Sequence, residues 1–371
     1  MTKYKLWLAV GLATFLMIGC TSQEADPTAT PTEPIPLASP VPATASPIPA
    51  TASPISATPT PTAEIATPTP ELPVQVAEVG FNDELGAPHD IVVSGDYAYI
   101  ADSSNGLRVV DVSDPANPQE VGYFDPTGPT AGQGVYFLDP YVYLADGLGL
   151  LVLDVTDPSS PSETGFYNSI GFAVKAHISG GYVYVSGREG GLNIAEISDP
   201  GDPLHIANYF EAGSVHVRDV FVSGSYAYVA MDENGLRVVD VSDPVNPQEV
   251  GFFDTAGVAE AIVVSGSYAY LADGADGLRI FNISDPTDPQ EIGFYDTLGY
   301  SQDVFLSGTY AFIGDGDSRL LLVMDISDPA NPQLAGEYET LGFVWAIYIS
   351  DTYAYVANGD NGLLILRLEF E

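Results

Sequence analysis

Apolar and polar positions alternate along this chain in short runs, and the runs come in sets of four. In the first set, "DIVVSG" (90–95) is followed by "YAYIAD" (97–102), "LRVVDVS" (107–113) and "QEVGYFD" (119–125). Val, Ile, Tyr and Leu fill the runs; Gly, Asn, Asp and Pro separate them, which is strand-and-turn punctuation. In "SDPANP" the Asp114 carboxylate caps the backbone, Pro115 presets φ and Asn117 tolerates turn geometry. No stretch carries the 3.6-residue period of an amphipathic helix.

The set recurs. A Tyr-x-Tyr or Tyr-x-Phe element opens at Tyr97, Tyr141, Tyr182, Tyr226, Tyr268, Tyr310 and Tyr353, a period of 41 to 44 residues. "NGLRVVDVSDPANPQEVGYFD" from Asn105 returns from Asn234 as "NGLRVVDVSDPVNPQEVGFFD", with two changes in 21 residues. A period near 40 built only of strands predicts a β-propeller. The seventh copy stops at its third run, while "PVQVAEVG" (73–80) is a spare fourth run ahead of the first copy. The expected fold is therefore all-β: a seven-bladed propeller over 73–371, four antiparallel strands per blade, closed by an N-terminal strand that completes the last blade.

The first 72 residues follow another pattern. Lys3 and Lys5 precede the 14-residue apolar run "LWLAVGLATFLMIG", short of the ~20 residues that span a bilayer. Residues 1–19 read as a signal peptide. Cys20, the single cysteine, follows at once in "LMIGC". That ending resembles a bacterial lipobox, with Met17 where leucine is usual; the resemblance implies lipidation of Cys20 and an anchor in the cell membrane or outer membrane. Residues 20–72 are rich in Pro, Thr, Ala and Ser and cannot bury enough apolar surface to fold. They are expected to form an extended stalk, on the order of 150 Å long at ~3.1 Å per residue. The expected location is extracytoplasmic, lipid-anchored and surface-exposed.

The repeats resemble a known family as well. "GLRVVDVSDP", "LLVLDVTDP", "LRIFNISDP" and "LLVMDISDP" are similar to the LVIVD repeat of bacterial and archaeal surface proteins. The seventh copy departs, with Arg367 where Asp111, Asp154, Asp240 and Asp325 stand. The resemblance implies a β-propeller at the cell surface and no defined chemistry.

Charge narrows the function. With 50 Asp+Glu against 10 Lys+Arg, the net charge of −40 repels nucleic acid and anionic lipid at long range. One cysteine and four scattered histidines (89, 177, 205 and 216) argue against a zinc centre. G-x-S-x-G, H-E-x-x-H and phosphate-loop motifs are missing, and no cofactor or metal is expected. The acidic loops "ADGADG" (272–277), "GDGDS" (314–318) and "ANGDNG" (357–362) lack EF-hand spacing and read first as turns, with Ca²⁺ as the alternative.

Repetition then serves as a filter, because a side chain kept in every copy is a building part. The third-run and turn aspartates are expected to hold local backbone. What varies is the opening of each first run. Eight residues before the anchor tyrosines stand His89, Gln133, Val174, Arg218, Glu260, Gln302 and Trp345. The following positions include Asp90, Lys175, Asp219 and Asp303. In a propeller these openings converge on one mouth of the channel, where a ligand can be held. The plainer reading pairs Lys175 and Arg218 with neighbouring acids. The leading expectation is a noncatalytic binding module for an extracellular protein, peptide or glycan. The alternative is a glycoside hydrolase or polysaccharide lyase using rim carboxylates such as Asp90, Glu260 and Asp303.

Overall fold

The computed structural model describes residues 72–103, 105–126, 132–209 and 216–370. The leader, Cys20 and all but the last residue of the stalk lie outside them. The described residues form seven four-stranded antiparallel sheets, each with its strands in chain order except the last. Blade 1 comprises Pro88–Ser94, Tyr97–Asp102, Gly106–Asp111 and Gln119–Phe124. Blades 2 to 6 repeat it, beginning with Gly134–Leu138, Ala173–Ser179, Asp219–Ser223, Ala261–Ser265 and Ser301–Ser307. Blade 7 begins with Ala346–Ser350 and ends with Val74–Asn82 paired along Leu363–Phe370, from Val74 opposite Phe370 to Asn82 opposite Leu363. The split blade predicted from the spare run is therefore present, two residues longer than expected at its end. First strands of neighbouring blades touch all the way round and line the central channel. One 3-10 turn, Gly359–Asn361, is the only helical element among the described residues, and none of their helices is long and apolar enough to cross a membrane.

The core lies between blades. Seven clusters each join the apolar side chains of two adjacent sheets; one packs Tyr99, Leu107 and Val109 of blade 1 against Val142, Leu144 and Leu153 of blade 2. Second and third strands are buried on both faces, as their continuous apolar runs predict. Fourth strands are mostly exposed, with the pattern e-e-e-B-e-i over Gln119–Phe124. The one buried position in that strand is a glycine.

That glycine explains the repeated phrase. A methyl group on Gly122 would lie 2.2 Å from the carbonyl oxygen of Pro158, in the Asp-Pro turn of the next blade. Gly80 meets Pro115 in the same way, Gly165 meets Pro200, Gly251 meets Pro286 and Gly293 meets Pro329. Five of the six Asp-Pro turns ride in this way on the bare backbone of the preceding blade, so "SDPxNPQEVG" encodes both halves of one joint; blade 3 carries Ala207 at the position of the glycine. Asp114 Oδ1 accepts from Ala116 N (3.2 Å) to shape the turn, and Asp111 Oδ1 accepts from Ser113 N (2.9 Å) to hold its entry. These aspartates are structural, as their repetition predicts. Gly251→Ala is expected to separate blades 4 and 5 locally and destabilise the propeller by about 1–3 kcal/mol, measurable by chemical denaturation; Gly224→Ala, at a surface turn with open space, serves as a control for backbone strain alone.

Candidate functional site

Three of the seven first strands shift register at the rim. The first strand of blade 1 shifts register between Pro88 and Asp90, blade 3 between Ala173 and Ala176, and blade 6 between Ser301 and Asp303. Such bulges re-aim side chains. They let two successive residues of one strand face the axis at different depths.

The upper layer is the mouth. His89, Gln133, Val174, Arg218, Glu260, Gln302 and Trp345, one from each blade, all line a single cavity of about 200 Å³ together with Lys175 and Arg188. Trp345 stacks on His89 (centroids 4.4 Å apart, 27° between planes) and packs at a tilt against Phe343 (4.5 Å, 41°). This aromatic surface continues into a cleft of about 600 Å³ between blades 6, 7 and 1, which shares His89 and Trp345 with the mouth. Asp317, Arg319, Asp360 and Asn361 flank it. His89 is held below the ordinary histidine range, chiefly by burial, with Arg188 acting in the same direction against Gln133 and Asp102. It is neutral at pH 7, which suits a stacking role. Across the mouth Glu260 accepts from Tyr300 Oη (2.7 Å) and Gln302 Nε2 (3.3 Å), and lies 3.6 Å from Arg218, whose other arm reaches Asp232 at 3.2 Å.

The second layer closes the channel. Lys175 Nζ donates to Asp303 Oδ1 at 3.1 Å, from blade 3 to blade 6 across the axis. Burial alone would lower the Lys175 pKa, but Asp303, Asp219 and Asp90 together hold it above its ordinary value. The three carboxylates are themselves stitches. Asp90 accepts from Val135 N (2.9 Å) of blade 2, Asp219 from Ile262 N (3.0 Å) of blade 5 and Asp303 from Ile347 N (2.8 Å) of blade 7. Burial raises Asp90 to about 6 and also raises Asp219. Of the eleven positions singled out from the pattern, the structure thus places eight around the mouth, and Asp90, Asp219 and Asp303 one layer below it. The paired-acid reading of Lys175 and Arg218 holds geometrically.

Three features escape the pattern as read along the first runs. Arg188 comes from the end of a second strand, at a position where the other blades carry Ser103, Gly147, Asp232, Gly274, Gly316 and Gly359. Phe343 precedes its first run by two residues. Below Lys175 lies a third layer, a chamber of about 320 Å³ lined by Tyr136, His177, Phe221, Phe305 and Tyr348, with Val92 and Val263. These side chains occupy the second position of "IVVSG" (91–95), Val92 and its counterparts, past the run openings where departures from the repeat are expected. In the structure that position points into the channel, because strand alternation carries the period-two face onward. His177 packs on Tyr136 and Phe221 (5.5 and 4.5 Å between centroids), and burial depresses its pKa to about 4. At all three places the residues depart from the repeat, so the signal is present in the sequence beyond the run openings.

The acidic loops serve the backbone. Asp315 accepts from Gly299 N (2.9 Å) and Thr297 Oγ1 (3.1 Å), Asp273 from Thr255 Oγ1 (2.7 Å), and Asn358 from Gly342 N (3.0 Å). No group of three metal-ligating side chains occurs among the described residues. The turn reading of these loops fits this geometry.

The family model for the LVIVD repeat matches seven times, over residues 86–126, 132–169, 170–210, 214–255, 256–297, 298–340 and 341–366. The chain belongs to the LVIVD repeat family. The seventh match stops at residue 366, within Leu363–Phe370, the strand along which Val74–Asn82 pairs. No curated protein matches the chain. Solved structures share the fold at low identity. The WD40 β-propeller domain of Doa1 is 10% identical with a TM-score of 0.63, covering 80% of this chain and 98% of that one. A chain of the mitotic checkpoint complex is 11% identical (TM-score 0.62; 85% and 97% covered), and the computationally designed Ika8 protein 12% (TM-score 0.58; 78% and 99%). These likenesses concern architecture alone.

Proposed function

We propose that this LVIVD-repeat propeller is a noncatalytic binding module, held at the cell surface by a lipid on Cys20, that offers its channel mouth and the adjoining cleft to an extracellular protein, peptide or glycan. The observation that carries the reading is the division of labour among side chains. Residues that recur in the blades build strands, turns and joints. Those that break the repeat converge on one concavity, with an aromatic surface at Trp345 and charged groups around it. A concave site with a few placed polar groups is the usual form of a ligand site. The noncatalytic part rests on the engagements of the carboxylates. Asp90, Asp219 and Asp303 accept backbone N–H groups of the next blade, and Glu260 is bound by Tyr300, Gln302 and Arg218. A general acid or base needs freedom to exchange its proton with substrate.

A glycan array and a pull-down from extracellular material, both with the full chain, test this. The expected result is a retained partner whose capture falls at least about tenfold with Trp345→Ala, the loss of one central aromatic anchor. Turnover of a polysaccharide that disappears with Glu260→Gln would replace the binding reading with the hydrolase or lyase one.

A further inference from the structure

The basic residues of the propeller fall into two groups. Arg108, Arg237 and Arg279 hold one repeated position on third strands. Each lies over an aromatic ring of the fourth strand (Tyr123, Phe252 and Phe294, at 5.0, 4.9 and 4.8 Å) and pairs with the aspartate two residues further on (2.8, 2.8 and 3.1 Å). Arg367 pairs with Glu369 at 2.7 Å. The other four, Lys175, Arg188, Arg218 and Arg319, repeat nowhere, and all line the mouth or the cleft joined to it. In a chain of net charge −40, half the cations of the propeller gather on one concavity.

Arg188 differs from the other cations in the mouth itself. Lys175 and Arg218 have carboxylates within 4 Å. Arg188 has none among the described residues. Its guanidinium rests over the Phe172 ring at 5.2 Å, and its Nε, like that of Arg218, is buried with no acceptor among the described residues. A buried N–H without a partner costs about 1–3 kcal/mol, and more on a charged group. In so acidic a protein, a guanidinium left without an acid and turned to a ligand-sized cavity is suited to an anion that arrives from outside.

Resting on the binding-module reading, we propose that Arg188 receives the carboxylate of a short glycan ending in a monocarboxylated sugar, whose neighbouring ring lies on the Trp345–His89–Phe343 surface. The aromatic faces suit the C–H face of a pyranose. Asp317, Asp360 and Asn361 beside them supply acceptors, and one amide donor, for hydroxyl groups. The volumes of about 200 and 600 Å³ suit a terminal sugar and one or two more. The same acidic body selects against a polyanion, whose further charges would meet Asp317 and Asp360, so one negative group on a hydroxyl-rich body is the matching class.

The test uses the full chain and three probes: a disaccharide of one uronate and one neutral hexose, its fully neutral counterpart, and an N-acetylated dipeptide with a free C-terminal carboxylate. Calorimetry measures affinity, and fluorescence reports on Trp345. The uronate disaccharide is expected to bind at least about tenfold more tightly than the neutral one. Arg188→Gln should erase that preference, Arg188→Lys should restore part of it, and thermal unfolding of both variants should match the parent. Equal affinity for the two disaccharides, or a preference that survives Arg188→Gln, overturns the assignment. A dipeptide bound as tightly as the uronate, with the same dependence on Arg188, overturns it in favour of a peptide terminus. If none of the three probes binds, the sugar assignment fails by itself; the module reading falls only if the array and the pull-down are empty too.

Discussion

Removing Val74–Asn82 is expected to abolish cooperative unfolding of the propeller, or to lower its stability by on the order of 5 kcal/mol or more, as read by thermal or urea denaturation of the full chain lacking only that segment. The strand contributes Val74, 2% exposed within the core between blades 6 and 7, and Val76 packed against it. Burial of a valine is worth roughly 1.5–3 kcal/mol. Its backbone pairs along the whole of Leu363–Phe370, and Gly80 carries the Pro115 turn of blade 1. Tyr338 Oη donates to Glu78 from blade 6 (2.9 Å), and Asn82 Nδ2 to Pro118 O (3.4 Å). One segment thus seals blade 7 to both neighbours, and its loss opens a long edge and the ring together. A total stability of 5–15 kcal/mol is typical for a domain, so such a loss is comparable with the whole. An unchanged melting transition would show that closure lies elsewhere.

The second large effect is expected at Lys175. Lys175→Met leaves Asp90, Asp219 and Asp303 facing one another in the channel without their shared cation, and removal of one partner from a buried charge cluster costs about 3–5 kcal/mol. Chemical denaturation at pH 7.5 measures it. The deficit should shrink as the pH falls. Burial raises Asp90 to about 6, and raises Asp219, even with Lys175 in place. A carboxylate whose folded-state pKa exceeds its unfolded value adds stability that is fully present below the unfolded value and lost as the pH rises through the folded one. Without Lys175 both values move further up, so the variant should recover most between about pH 7 and pH 4. His177 acts oppositely: its depressed pKa of about 4 gives stability that is lost as the pH falls from its ordinary range. Its contribution is common to parent and variant, so the difference between their pH profiles isolates the carboxylates. A second substitution, Asp303→Asn, is expected to return part of the loss at pH 7.5; a deficit independent of pH and of Asp303 would place the role of Lys175 in packing instead.

The fold was open to reading because a propeller is written as a tandem repeat: seven Tyr-x-Tyr or Tyr-x-Phe anchors, six Asp-Pro turns and one displaced fourth run specify blade number and closure before any contact is known. Strand alternation and turn chemistry are local, so they survive in a one-dimensional string. The identity of the rim was also legible at first-run openings, since residues that break a repeat stand out against it. What the string could not carry was depth and partnership. His89 and Asp90 are neighbours in sequence, yet one faces the mouth beside Trp345 and the other is hydrogen-bonded to blade 2 beneath it, because a bulge lets adjacent residues face the axis. Lys175 and Asp303 are 128 positions apart and meet only across the closed ring. The same closure leaves Arg188 with no carboxylate within 4 Å among the described residues, and its Nε without an acceptor there. By itself, then, the sequence determined the architecture, through periodicity and local turn chemistry. Which charges are paired, which stand without a partner, and where the channel is blocked were decided only by the tertiary structure, because those are distances across an axis that exists once seven separate strands have been brought around it.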